Sequence, residues 1–207
     1  MSPAEIIGTV LGVIGVALMI RQNIWGWPVG LVQVAVYAWV FYGAKLYSDV
    51  ILQGCFFVIQ GYGWWHWVRG DGARANSPAS DQRGEVAAPP SLPVTRLSAA
   101  GMLSGLGLGA VATAGWGAYM HRTTDAALPY WDAGILVFSL IAQGLQARKK
   151  LENWALWLGV NTVAIGVYWA KDLRLTAGLY VIFWAMALWG WREWRRAAGG
   201  PAATGPT

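Results

Sequence analysis

The chain has 207 residues, of which 56% are hydrophobic and only 12% are charged. Soluble domains carry roughly 25% charged residues, so a soluble fold would leave too much apolar surface in water, and the composition predicts an all-α protein that crosses a membrane several times. The net charge of +5 comes from short basic clusters beside apolar runs. This pattern argues against a nucleic-acid-binding surface and favours anionic lipid headgroups as a partner.

Seven apolar stretches follow one another along the chain, and a helix that crosses a bilayer needs about 20 residues. They cover residues 5–20, 25–44, 48–68, 97–120, 131–147, 153–170 and 175–194. The first stretch is interpreted as a helix rather than a secretory signal, because no positive region precedes it and no cleavage site follows. Residues 70–96 are predicted to form a flexible cytoplasmic linker, and residues 197–207 a disordered tail.

The distribution of basic residues predicts the orientation of these spans, because cytoplasmic loops carry the excess of Lys and Arg. If the N-terminus lies outside, the inner loops hold 11 of the 15 basic residues and the outer loops hold 4. We therefore expect the N-terminus outside and the C-terminus in the cytoplasm.

An internal duplication relates the first three spans to the last three. When the chain is aligned with itself at an offset of 127 residues, identities recur without a gap from Val10 to Arg69. The firmest matches lie in the closing stretch and pair two tryptophans, a glycine and an arginine: Gly63 with Gly190, Trp64 with Trp191, Trp67 with Trp194 and Arg69 with Arg196. Earlier in the overlay, Trp27 meets Trp154. The sequence thus predicts two three-helix repeats, residues 5–69 and 131–196.

The fourth predicted span, residues 97–120, explains how these repeats fit in one membrane. Each repeat has an odd number of spans, so one additional helix between them restores a parallel relation. Gly101, Gly105 and Gly109 give that helix a smooth face for close packing, within the fold or in a homo-oligomer. Parallel repeats of this kind place a substrate site between two bundles near mid-membrane, so the layout predicts a transporter.

The polar groups within the spans indicate whether transport is coupled to an ion. Apart from Asp49, near the outer end of the third span, Asp, Glu, Lys and Arg occur only at span ends. Pumps coupled to protons or sodium use such groups as relays or ligands, so we expect a facilitator for an uncharged or weakly charged solute. Four interior amides must find partners in lipid, either as links between helices or as the lining of a path: Gln33, Gln53, Gln60 and Asn161.

Helical spacing adds two aromatic candidates for the same path. Gln53, Phe57, Gln60 and Trp64 share one face of the third span. The duplication pairs Gln53 with Tyr180 and Phe57 with Trp184, which places these two aromatic residues on the equivalent face of the seventh span. Tyr180 and Trp184 are therefore predicted to contact substrate.

The segment from Asn153 to Asn161, with Trp154 and Trp157 inside it, closely resembles the W-x-x-W-x-x-x-N signature of PnuC-type vitamin transporters. The resemblance extends over residues 5–196 except the long linker. It implies a bacterial inner-membrane facilitator with an architecture distantly similar to the SWEET sugar transporters. The best-known members carry nicotinamide riboside, and relatives are thought to carry thiamine or riboflavin.

The resemblance assigns substrate contact to Trp154, Trp157 and Asn161, where the two tryptophans alone would be interpreted as an aromatic belt at the cytoplasmic interface. It also implies that cytoplasmic phosphorylation traps nicotinamide riboside for NAD synthesis. Aromatic faces attract the cationic pyridinium ring, and amides bond the ribose hydroxyls. The thiazolium ring of thiamine suits the same aromatic groups, so thiamine stays a rival cargo.

Two other classes of function fit the sequence less well than a transporter. An enzyme needs convergent acids, bases or nucleophiles at membrane depth, whereas His66 and His121 lie at span ends and Cys55 has one histidine nearby. We therefore expect no catalytic, metal or cofactor site. A receptor or assembly subunit that does not transport stays open as a weaker alternative.

Overall fold

In the computed structural model, which describes residues 3–43, 47–75 and 92–199, seven helices account for most of the described chain and confirm the all-α prediction. They are α1 (Pro3–Ile20), α2 (Gly26–Gly43), α3 (Tyr47–Ala75), α4 (Ala99–Thr123), α5 (Pro129–Ala147), α6 (Asn153–Ala170) and α7 (Arg174–Ala198). By length and composition alone, α1 and α4 qualify as membrane spans among these residues. The other helices mix their apolar residues with Trp, Tyr, Gly and amides.

The chain divides into two compact units, which are described separately. The first comprises residues 1–94 with 147–149, and within it α2 packs against both α1 and α3. The second comprises residues 95–146 with 150–207, and within it α6 packs against α7. A glycine lets α4 approach α5 closely, because a Cβ atom at Gly109 would lie 2.8 Å from the Phe138 ring. Gly105 faces open space.

The turn before α2 and the turn before α6 have the same backbone conformation. Gln22 and Lys149, which are 127 residues apart, both adopt left-handed φ values, of 54° and 49°. In each turn the next amide closes a hydrogen bond of 2.9 Å, from Asn23 N to Leu18 O and from Lys150 N to Leu145 O. Because such φ values are uncommon outside glycine, the recurrence extends the sequence duplication to the backbone.

A tryptophan lying over a glycine joins the second and third helices of each repeat. The Trp27 ring covers Gly63, where a Cβ atom would lie 2.6 Å from Cζ3, and its edge meets Trp67 at a centroid distance of 5.4 Å. The equivalent contacts unite Trp154, Gly190 and Trp194, with the same Cβ distance of 2.6 Å and a centroid distance of 5.5 Å. Only glycine permits this approach of ring and backbone.

The predicted linker is shorter than residues 70–96 in the structure. Helix α3 continues to Ala75, because the first proline that would end it is Pro78. From Leu92 the chain is again described, and Lys149 Nζ donates to Leu92 O at 3.0 Å while lying 4.2 Å from the centre of the Trp67 ring. Within the second unit, Leu151 N donates to Thr95 O at 3.0 Å.

Parts of two predicted regions, the linker and the tail, fall outside the described residues. They are residues 76–91 of the predicted linker and residues 200–207 of the predicted tail. The tail begins later than residue 197, since α7 ends at Ala198.

We expect Gly63→Ala and Gly190→Ala each to lower the free energy of unfolding by about 1–3 kcal/mol, because the added methyl group overlaps an indole ring in a packed core. Gly61→Ala and Gly178→Ala are matched controls, since a Cβ atom at either position meets open space and alanine is the better helix former. Thermal unfolding of the purified variants in detergent measures the difference. Equal stability of the four variants would contradict the packing described here.

Candidate functional site

Helix α6 carries the motif that the sequence singled out. Asn153 begins the helix and donates from Nδ2 to Lys150 O at 2.6 Å, so its side chain holds the preceding turn. At 1.5 Å per residue, Asn161 lies about 12 Å further along. That distance is close to half the length of α6, so Asn161 lies near the middle of the bilayer.

Asn161 is the best candidate for a group that binds a polar ligand. Its side chain is 4% exposed, and among the residues that the structure describes its carboxamide has no hydrogen-bond partner. An amide in an apolar environment is costly unless it forms hydrogen bonds. The donor and acceptor of Asn161 are therefore available to a ligand.

Trp154 has a packing role that the motif did not reveal. It is 2% exposed, lies over Gly190 and meets Trp194 edge-on. Trp27 makes the same contacts in the first repeat. The Nε1 atoms of both rings are buried without a hydrogen-bond partner in the described part of the chain. Trp157, one turn further along α6, is only half-buried and is the motif tryptophan with surface left for a ligand.

Tyr168 of α6 and Tyr180 of α7 extend the row of side chains formed by Trp157 and Asn161. Tyr168 lies seven residues after Asn161 and so shares its face of the helix. Its ring stacks on Tyr180 of α7, with centroids 5.1 Å apart and an angle of 21° between the planes. Trp157, Asn161, Tyr168 and Tyr180 are called the α6 stripe below. The stripe presents aromatic rings on both sides of one carboxamide.

Trp184, also predicted to contact substrate, lies on another face. Its Nε1 donates to Thr162 Oγ1 at 3.1 Å, and its side chain is 38% exposed. Thr162 follows Asn161 and so points about 100° away from it around the helix. The structure therefore does not bring Trp184 to the α6 stripe.

Gln60 and Gln33 each lie over a glycine of the neighbouring helix in the first unit. Gln60 is 7% exposed, and its amide lies directly over Gly30. Gln33 Nε2 lies 2.9 Å from where a Cβ atom of Gly12 would be. Gln53 is half-buried on α3. All three belong to the first unit and the α6 stripe to the second, so each set is described on its own.

The duplication shows which residues of the second repeat occupy the positions equivalent to the two Gln–Gly pairs. At the offset of 127 residues, Gln60 over Gly30 corresponds to Ala187 and Trp157. Gln33 over Gly12 likewise corresponds to Val160 and Ser139. In the first pair the large and small members have changed places, which keeps the volume between the helices filled. In the second pair Val160 remains larger than Ser139. The larger side chain is therefore on α6 in the second repeat, where it is the motif residue Trp157.

Sequence reasoning missed several buried polar residues. Ser139 and Gln146 on α5 are 7% and 5% exposed, and their place in an apolar stretch could have identified them. The seven-residue spacing from Asn161 could have identified Tyr168. At the ends of α5 and α6, Asp132 pairs with Lys171 at 2.8 Å. Within the described ranges, three or more His, Cys, Asp or Glu side chains nowhere converge as a metal site would require.

Comparison with known proteins identifies the family. The model of the nicotinamide mononucleotide transporter family matches residues 2–196. The chain belongs to this family. The resemblance noted in the sequence is thereby confirmed, and the chain is a multi-pass membrane transporter of the bacterial inner membrane rather than an enzyme.

Individual members show how far the similarity extends. The riboflavin/roseoflavin transporter RibM of Streptomyces davaonensis is 31% identical, over 92% of this chain and 84% of that protein. The nicotinamide riboside transporter PnuC of Escherichia coli K12 is 26% identical, over 94% and 85% of the two chains. The crystal structure of the vitamin B3 transporter PnuC matches 93% of this chain and 80% of its own, with a TM-score of 0.69 and 25% identity.

We expect Asn161→Leu to raise the free energy of unfolding by about 1–3 kcal/mol, because an apolar residue of similar size replaces an amide that has no hydrogen-bond partner among the described residues. Trp154→Ala should lower it by about 3–5 kcal/mol, since it empties the space over Gly190. Thermal unfolding in detergent measures both variants. If Asn161→Leu is the less stable protein, the carboxamide has a packing role and is not available to a ligand.

Proposed function

We propose that this protein is a facilitator that carries nicotinamide riboside into the cytoplasm down its gradient, where phosphorylation traps it for NAD synthesis. The observation that carries the proposal is the α6 stripe, which places a carboxamide that has no hydrogen-bond partner among the described residues between aromatic rings at membrane depth. Family membership and the named PnuC relatives support the same cargo.

The chemistry of the cargo fits the stripe. The electron-poor pyridinium ring is attracted to the faces of Trp157, Tyr168 and Tyr180, by roughly 0.5–2 kcal/mol per contact. The Asn161 carboxamide can both donate to and accept from the ribose hydroxyls and the nicotinamide amide. Because basic residues lie only at the ends of the helices, a phosphorylated product finds no cation within the spans and stays in the cytoplasm.

The same distribution of charged residues supports movement of the cargo down its gradient without coupling to an ion. Asp132 and Lys171 pair at helix ends, and the remaining charged side chains also lie near the ends of their helices. Coupling to protons or sodium uses ionisable groups at membrane depth. Such a group would be required to drive the cargo against its gradient.

Riboflavin is the second candidate cargo, because RibM is 31% identical to this chain. An aromatic stripe with one carboxamide suits a flat isoalloxazine ring and a polyhydroxy chain as well as it suits a nicotinamide and a ribose. The net charge of the ring separates the two cargoes. The quadrupole of a Trp or Tyr face adds attraction for a cationic ring beyond stacking.

The orientation is proposed with the N-terminus outside and the C-terminus in the cytoplasm. Arg21 at the α1–α2 turn, three basic residues at the α5–α6 turn and three near the end of α7 support this orientation, because seven successive spans would put these ends on the same side. A green fluorescent protein fused to the C-terminus, which matures in the cytoplasm, should be fluorescent. A dark fusion that is inserted and intact would reverse the orientation.

Uptake of radiolabelled nicotinamide riboside into liposomes with the purified protein tests the cargo. We expect uptake that unlabelled riboflavin and thiamine inhibit at least tenfold more weakly than unlabelled nicotinamide riboside, because riboflavin lacks a cationic ring and thiamine lacks the ribose hydroxyls. Asn161→Ala should lower uptake at least tenfold through lost hydrogen bonds.

Trp154→Phe is the matched control, since it keeps an aromatic ring over Gly190 and should retain at least half of the uptake. Riboflavin entry with no entry of nicotinamide riboside would assign the second cargo. An unchanged rate in Asn161→Ala would remove the α6 stripe from the proposal.

A further inference from the structure

The second unit contains an apolar cavity of about 110 Å³ near the start of α4. It lies between α4, the end of α5 and the first turn of α6, and the residues that line it include Leu97, Gly101, Gly105, Phe138, Leu145 and Leu156. The lining is almost wholly apolar. An apolar cavity of about 150 Å³ can hold a molecule as large as benzene, so this cavity has room for part of a hydrocarbon chain.

Helix α4, which supplies much of the lining, also presents exposed apolar residues on its other faces. Leu103 and Leu108 of α4 are 70% and 72% exposed. A Cβ atom at Gly105 would meet nothing within 4 Å. Because α4 is a membrane span, lipid acyl chains surround this surface.

Two basic residues lie close along the backbone to Leu97, the first residue of the cavity lining. Arg96 precedes the lining residue Leu97, and Lys150 forms a β-bridge with Thr95, strengthened by the hydrogen bond from Leu151 N to Thr95 O at 3.0 Å. Neither Arg96 nor Lys150 forms an ion pair with any residue in the described part of the chain. Glu152, two residues after Lys150, carries a carboxylate that accepts a hydrogen bond from Leu97 N at 2.8 Å.

From this arrangement we propose that the cavity binds one acyl chain of an anionic phospholipid, whose phosphate lies against Arg96 and Lys150. The apolar lining matches the chain, and the two basic residues match the headgroup. A two-fold symmetric contact with a second copy of this protein fits less well, because it would bring the same two cations together. In the proposed orientation, the lipid belongs to the cytoplasmic leaflet.

Binding of phosphatidylglycerol and phosphatidylcholine to the delipidated full-length protein, followed by native mass spectrometry, tests the site. We expect phosphatidylglycerol to bind at least tenfold more tightly, because each basic residue at a membrane surface contributes about fivefold in affinity. Arg96→Gln with Lys150→Gln should abolish this preference and leave phosphatidylcholine binding unchanged.

Gly105→Leu should lower the affinity for both lipids by filling the cavity. Gly107→Leu is its matched control, since Gly107 lies on the same helix and also faces open space but does not line the cavity. sn-Glycerol 3-phosphate, the headgroup without chains, should not compete.

Three results would overturn the proposal: equal affinity for the two lipids, equal binding by Gly105→Leu and Gly107→Leu, or full competition by sn-glycerol 3-phosphate, which indicates a simple phosphate site. If Gly105→Leu does not fold, the test is whether Arg96→Gln with Lys150→Gln abolishes the preference for phosphatidylglycerol. These outcomes are independent of which vitamin the protein carries.

Discussion

Helices in a bilayer gain little from burying apolar side chains against each other, so close packing has to hold them together. Here that packing depends on an indole ring lying over a glycine, between α2 and α3 and again between α6 and α7. The preceding turns repeat the same left-handed residue and the same closing hydrogen bond. With each helix pair fixed in this way, the volume between the helices can be filled differently in the two repeats.

That difference determines where a ligand can bind. In the first repeat the interior amides Gln33 and Gln60 lie over glycines and serve helix packing. In the second repeat the corresponding large residue is Trp157 on α6, and the carboxamide of Asn161 has no hydrogen-bond partner in the described part of the chain. The duplication therefore supplies one rigid frame twice, and substitutions within it supply aromatic and amide groups for a ligand in the second repeat.

Much of the fold could be predicted because membrane spans and duplications are properties of local sequence. Apolar length located all seven helices, and the offset of 127 residues located the paired tryptophans. The site was harder, because helical spacing does not show what a neighbouring helix contributes. Trp154 matched a binding motif, yet Gly190 on α7 gives it a packing role, and Thr162 turns Trp184 away from Asn161. Equivalence to Trp27 was the available signal for Trp154.

The central claim is that an uncharged interior permits movement of the cargo down its gradient without coupling to an ion. The most direct test is the equilibrium ratio of nicotinamide riboside inside and outside liposomes, with the membrane potential clamped at zero by potassium and valinomycin. With proton or sodium gradients imposed in either direction, the account predicts equal concentrations on both sides. A ratio that follows either ion gradient would contradict it and would require an ion-binding group within the spans.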